Sequence, residues 1–259
     1  MNREIEHQPA YILNRRVYQE SSLILDIFTS EHGRLSILAK GALKSKKQWA
    51  ALLQVFQPLY LSWLGKSTLK TLKRAEAPRG SLALSSDRLY CAYYLNELIL
   101  NLLHEFDHNP EVFALYVSSL QQLEDGMPIE PILRSFEIHL LSFLGLAPDF
   151  NQDSQQQIIR TELKYRYDSK KGFCCLNTEQ AQRQNLPSLV FSGEVLEFIE
   201  LSQFNWVEKL SSEKDYLMLL RDAKRLMRIL INHALEGKEL KSRTLLQQIH
   251  EQKFSGKQL

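Results

Sequence analysis

The stretch Leu35-Ser-Ile-Leu-Ala-Lys-Gly-Ala-Leu-Lys-Ser-Lys-Lys47 decides how this chain is read. It opens as an alternating strand, with Leu35, Ile37 and Ala39 on one face. It then breaks at Gly41 into a loop carrying Lys40, Lys44, Lys46 and Lys47. A basic loop at the mouth of a small β-structure attracts phosphates, because each ammonium displaces a counterion from nucleic acid. Trp49, Phe56 and Trp63 follow closely and offer flat apolar surfaces on which bases can stack. A solvated charge run is the plain alternative.

The neighbouring sequence supplies the rest of a barrel. Tyr11 to Val17 and Leu23 to Phe28 are strand-like runs rich in β-branched and aromatic residues, separated from each other and from Leu35 by turn signals. A short helix is expected over Lys47 to Leu53, then strands over Phe56 to Leu64 and Leu69 to Ala75. Five strands with one helical interruption suit a closed OB-fold, which leaves no exposed sheet edges.

Beyond Pro78-Arg-Gly80 the apolar period changes from 2 to 3.6. Leu89, Ala92, Tyr93, Asn96, Leu100 and Leu103 line one face of a long helix that stops before Asn109-Pro110. Helices follow over Glu111 to Leu123, around Leu133 to Leu144, over Val195 to Leu201, and along the stripe Leu217, Leu220, Ala223, Met227, Leu230 and Ala234. Between Pro148 and Leu189 the pattern weakens, and Tyr165 to Leu176 reads as two short strands around a turn. The expectation is therefore an α+β chain in two domains. Residues 1–80 form the barrel, and residues 81–259 form a mainly helical domain with a small irregular subdomain at about 148–190.

Charge separates the same two parts. The 259 residues carry a net +2, but residues 1–80 hold 13 Lys and Arg against 6 Asp and Glu. The remaining 179 hold 19 against 24, so a +7 third is joined to a −5 remainder. That asymmetry is a nucleic-acid signal. The apolar runs are too short for a membrane span, and the first residues lack the apolar core of a signal peptide. Three cysteines, Cys91, Cys174 and Cys175, make no disulfide framework, which points to a cytoplasmic protein with reduced thiols.

Few side chains suggest covalent chemistry. Gly65-Lys66-Ser67 resembles the end of a phosphate-binding loop, but Tyr60 stands where that motif needs glycine, so a hairpin turn is expected. His104 and His108 are spaced as i, i+4 at the end of a helix, with no second ligand cluster. The phosphate contacts expected from charge are Arg15, Arg16, Arg34, Lys40, Lys44, Lys46, Lys47, Lys66, Lys70 and Arg74. Arg221, Arg225 and Arg228, with Lys224 beside them, recur along one stripe of the last helix and suit DNA or an acidic partner. Residues 87–163 are strongly acidic, with 12 acidic and 3 basic side chains. Arg134, between Leu133 and Phe136, is there a possible clamp for a peptide carboxylate; the alternative is an internal pair with Glu130 or Glu137.

These pieces resemble the RecO family of bacterial recombination mediators. The resemblance runs through Glu20-Ser-Ser-Leu-Ile-Leu-Asp-Ile-Phe-Thr29, His32-Gly-Arg-Leu35, Ala39-Lys-Gly-Ala42, Gln54-Val-Phe-Gln-Pro58, Tyr94-Leu-Asn-Glu-Leu98, Leu133-Arg-Ser-Phe-Glu137 and Gly237-Lys-Glu-Leu-Lys-Ser-Arg243. It implies an OB-fold followed by a helical domain, and no covalent chemistry or cofactor. It also implies binding of single- and double-stranded DNA, annealing of complementary strands, and help in loading RecA onto DNA coated by single-stranded-DNA-binding protein. The implied partners are RecR and the acidic C-terminal tail of that coating protein. Many members carry a four-cysteine zinc site after the third helix. Here Asp149, Asn151 and Asp153 precede Cys174-Cys175, so the subdomain is expected to hold by packing around Tyr165, Tyr167 and Phe173. A nucleic-acid-processing enzyme with an OB-fold arm, and a purely protein-binding module, are the competing classes.

Overall fold

The computed structural model describes residues 4–44, 49–78, 82–176, 187–202 and 213–245. The chain divides into two compact units, residues 1–129 with 239–259, and residues 130–238.

The first unit contains a closed barrel of β1 (Glu4–Tyr18), β2 (Ser22–Thr29), β3 (Gly33–Ala39), β4 (Leu59–Leu64) and β5 (Lys70–Glu76), with the four-residue helix α1 (Trp49–Leu52) between β3 and β4. Strand order around the barrel is β1-β2-β3-β5-β4, the OB-fold topology expected from the sequence. β1 is long enough to serve both sides, its first half pairing with β4 and its second with β2. The alternation of Leu23, Leu25 and Ile27 on β2 with Leu35, Ile37 and Ala39 on β3 fills the barrel interior, joined there by Ile12, Leu61 and Trp63. Gly65-Lys66-Ser67 forms the β4–β5 turn, with Gly65 at φ 128°. Closure is completed by a parallel contact of only two residue pairs, Ile37 with Lys70 and Leu38 with Thr71.

The outer side of β1 and β2 is covered by α2 (Ser86–Leu102) and α3 (Pro110–Glu124), both within this first unit. Tyr11 and Phe28 each pack their rings against Phe113 and Tyr116 of α3. A bulge between Ile12 and Asn14 leaves Leu13 out of the β1–β2 ladder. The freed Leu13 carbonyl accepts a 2.8 Å hydrogen bond from buried Asn96, whose Oδ1 in turn accepts from the Tyr116 hydroxyl at 2.6 Å. The Leu13 carbonyl, the Asn96 amide and the Tyr116 hydroxyl thus satisfy one another.

α2 ends six residues earlier than the stop at Asn109-Pro110 implies. Leu103 is already extended, and beyond it the Phe106 amide donates to the Arg34 carbonyl. Gly33 makes this possible. It sits at φ 62°, and a Cβ there would come within 1.9 Å of the Asp107 carbonyl oxygen. His104 and His108 consequently lie beyond the helix.

Lys241, Ser242 and Arg243, from the last of the family-like segments, meet Tyr94 and Glu97 within the first unit. The Glu97 carboxylate accepts from the backbone amides of Lys241 and Ser242, and Arg243 donates to the Tyr94 hydroxyl at 3.2 Å. A carboxylate receiving those amides caps the helical turn that begins at Lys241.

The second unit holds α4 (Ile129–Phe143), a three-stranded sheet, α5 (Gly193–Ser202) and α6 (Glu213–Ala234). The sheet runs β7-β6-β8, from β6 (Lys164–Asp168), β7 (Gly172–Leu176) and the short β8 (Val190–Ser192), which the sequence pattern does not reveal. Asp168 builds the β6–β7 turn by accepting from the amides of Lys170 and Lys171, and those bonds hold its carboxyl below the ordinary value. Tyr165, Tyr167 and Phe173 are buried with Phe150 and Phe191 as the core of this subdomain. On α6 the buried stripe is Leu220, Ala223, Met227 and Leu230, joined by Leu219, Leu226 and Ile231; Leu217, expected inside, is exposed. Among the described residues no helix is long and apolar enough to cross a membrane.

Candidate nucleic-acid interface

Three chain segments converge at one end of the barrel: the end of β1, the start of β2 and the loop after β3. Tyr18 pairs with Ser22, and Leu23 pairs with Ala39. The loop is tied to the β1–β2 turn by two hydrogen bonds, from the Leu43 amide to the Ser21 carbonyl at 2.8 Å and from the Gly41 amide to Ser22 Oγ at 3.3 Å. Gly41 supplies the left-handed φ of 67° that turns the chain there. Arg15, Arg16, Lys40 and Lys44 lie on these segments and all are exposed. Lys46 and Lys47 fall outside the described residues.

Two of these cations are oriented by neighbours without being withdrawn from solvent. Arg15 donates to the Leu53 carbonyl at 3.1 Å. Arg16 stands 3.5 Å from Asp26, with 57% of its side chain exposed. Asp26 is itself buried on the outer face of β2, where it accepts from Ser36 Oγ at 2.7 Å and Asn14 Nδ2 at 3.1 Å. An interaction of this kind fixes geometry more than it neutralises, because the guanidinium stays wet.

The other expected contacts are placed differently. Lys66 is exposed in the β4–β5 turn. Lys70 donates to the Ser67 carbonyl at 2.6 Å and lies 5.0 Å over the Phe106 ring. Arg74 is exposed, 3.7 Å from Glu76. Arg34 is turned inward, donating to the Leu103 carbonyl at 3.2 Å and pairing with Glu105 at 3.6 Å. It fastens the end of α2 to β3 and does not face a ligand. Lys73, on the same strand as Lys70 and Arg74, pairs with Glu4.

The expected base-stacking aromatics are corrected by the structure. Trp63 is a barrel-core residue, and Phe56 is buried against Tyr93. Trp49 is half-buried against the barrel core. The large apolar side chains that do face solvent at this end are Val17, Tyr18 and Leu43. Strand patterning hid them, because inward and outward residues exchange environments where a strand leaves the barrel.

In the second unit the arginine stripe is divided. Arg221 and Arg228 are exposed. Arg225 donates to the carbonyls of Ser188 at 3.1 Å and Val190 at 2.9 Å, with its guanidinium 4.3 Å over Phe191. Lys224 pairs with Glu130 at 2.6 Å. Arg134 is buried and donates to Glu137 at 2.9 Å. Of the two roles open to it, the structure holds the internal pair, and a guanidinium so enclosed is not presented to a peptide. Among the described residues no group of three His, Cys, Asp or Glu side chains is placed to hold a metal.

The strand order places the first unit in the OB-fold class. Residues 1–80 match the family model Recombination protein O N terminal, and residues 84–244 match Recombination protein O C terminal. The chain is 35% identical over 252 residues to the DNA repair protein RecO of Azoarcus sp., covering 97% of this chain and 99% of that one. It is 37% identical over 239 residues to the protein of the same name from Aliivibrio salmonicida, covering 92% and 94%. Against that of Haemophilus influenzae it is 37% identical over 244 residues, covering 94% and 96%. The chain belongs to the RecO family.

Proposed function

We propose that this protein is a non-enzymatic, cytoplasmic and nucleoid-associated mediator of DNA repair and recombination, which binds single- and double-stranded DNA and anneals complementary strands. In the same reading it helps load RecA onto DNA coated by single-stranded-DNA-binding protein, with RecR and the coating protein's acidic tail as partners. The observation that carries the DNA reading is the exposure of Arg15, Arg16, Lys40 and Lys44 together at one end of an OB-fold. Cations placed along two strands lower their mutual repulsion and let complementary bases meet. With Arg134 turned inward, the second unit offers an acidic tail the exposed Leu217 and Met218, with Lys214 and Arg221 also exposed on the same helix. The test is a salt titration of binding to a fluorescent single strand. The expected result is a steep fall in affinity, with a slope corresponding to several released counterions; salt-insensitive binding sinks the reading.

A further inference from the structure

Exposed apolar side chains cost free energy in water, and three of them stand among the cations of the barrel end. Val17 is 69% exposed, Leu43 43% and Tyr18 39%. The hydrogen bond from the Leu43 amide to Ser21 brings the loop carrying Leu43 onto the turn that follows Tyr18. Within β1, Arg16 and Tyr18 are two residues apart and pair across to Ile24 and Ser22, so they share one face of the strand. Glu20 is the one acidic residue in the β1–β2 turn, and Asp26 is already engaged by Asn14, Arg16 and Ser36. The local field is therefore positive around an apolar centre.

We propose that Tyr18 and Leu43 form a seat for unpaired bases, with Arg16, Lys40 and Lys44 holding the adjoining phosphates, so that this end of the barrel prefers single-stranded to double-stranded DNA. The inference rests on the DNA-binding reading above and adds to it the strand type and the residues that sense it. A single strand alternates anionic phosphates with flat apolar faces, matching the alternation of Arg16 and Tyr18 along β1. Duplex DNA presents the phosphates but keeps its base faces stacked inside. A carboxylate-rich peptide answers the cations and leaves the apolar centre unmatched. Stacking on a side chain tolerates any base, because every base has a π-face. The seat thus confers strand-type preference without sequence preference.

The experiment compares the full-length protein with Tyr18→Ala/Leu43→Ser, leaving every cation in place. Binding of oligothymidine and of a duplex of equal length is followed by fluorescence anisotropy at several salt concentrations. The expected result is about a tenfold loss of affinity for the single strand, with duplex affinity and both salt slopes unchanged. Tyr18→Phe, which keeps the ring, retains single-strand binding. Equal losses on both DNAs, or no loss on either, overturn the base seat while leaving the DNA-binding reading standing. Unchanged DNA affinity together with lost binding of a polyglutamate peptide overturns it in favour of protein docking. Failure of the unmodified protein to bind either DNA sinks both readings at once. Photocrosslinking of an iodouracil-containing strand checks position independently: a crosslink at Tyr18 is expected, and one confined to the second unit counts against the seat.

Discussion

The barrel end and helix α6 carry similar basic runs, and they use them in opposite ways. At the barrel end Arg15, Arg16, Lys40 and Lys44 remain exposed, two of them steadied by a carbonyl and a carboxylate. On α6, Arg225 is directed to the Ser188 and Val190 carbonyls and Lys224 to Glu130, which leaves Arg221 and Arg228 facing water. Equal charge in sequence therefore does not mean equal charge offered to a ligand. A cation on a hairpin end has few neighbours within reach. A cation on a helix packed beside a sheet meets unpaired carbonyls and carboxylates, and buried acceptors must be satisfied.

The largest expected effect lies inside the second unit. Arg134→Ala removes the guanidinium bonded to buried Glu137, and the expected loss is about 2–3 kcal/mol of unfolding free energy, read by urea denaturation. A loss near zero means that the pair is solvated and that Arg134 is available after all. At the barrel end the effect moves from stability to binding. Lys40→Glu with Lys44→Glu should leave the unfolding curve in place and lower single-strand affinity at least tenfold, with a salt slope shallower by about 1.4 for two lost phosphate contacts. The same double reversal at Arg221 and Arg228 should change DNA affinity less; an equal loss means that the two basic runs do not differ in what they offer a ligand.

Arg225→Ala separates the roles on a single residue. Removing two charge-assisted hydrogen bonds and the contact with Phe191 should cost about 1–2 kcal/mol of stability while DNA affinity stays within about twofold. The smallest expected effect is alkaline. Burial pushes the Tyr116 hydroxyl well above its ordinary value of 10.0. The folded protein then keeps this proton while the unfolded chain loses it, so the stabilisation is complete below pH 10 and declines as pH rises further. Tyr116→Phe should be about 1 kcal/mol less stable at neutral pH, because Asn96 Oδ1 loses its donor, and should show a shallower alkaline decline. An unchanged alkaline slope places the loss of stability elsewhere.

Much of the architecture was legible because it depends on local pattern. Period-two runs marked all five strands, Gly65-Lys66-Ser67 marked the turn between the last two, and the change of period near residue 80 marked the helices. The N-terminal half of β1 was not legible, since Glu4-Ile-Glu-His-Gln-Pro has no apolar alternation and becomes a strand by pairing with β4. The end of α2 was misplaced because its backbone leaves the helix to meet Arg34 on β3, a partner some seventy residues earlier in the chain. The outward-facing aromatics are hidden from the sequence for a related reason. Trp63 and Tyr18 are both aromatic and both on strands, and only barrel closure turns the first inward and leaves the second at the rim.

From its residues alone the chain is determined to be an α+β protein with a basic OB-fold third, an acidic helical remainder and the motifs of the RecO family. Those features follow from side-chain period and charge count, which every short window of sequence carries. Tertiary structure alone decided which cations reach water, that Arg34, Arg134 and Arg225 are bonded to groups of the protein itself, and that Val17, Tyr18 and Leu43 rim the basic barrel end. The physical reason is that availability depends on what the rest of the chain brings within about 4 Å of a charge. Those neighbours lie tens of residues away, beyond the reach of any local pattern.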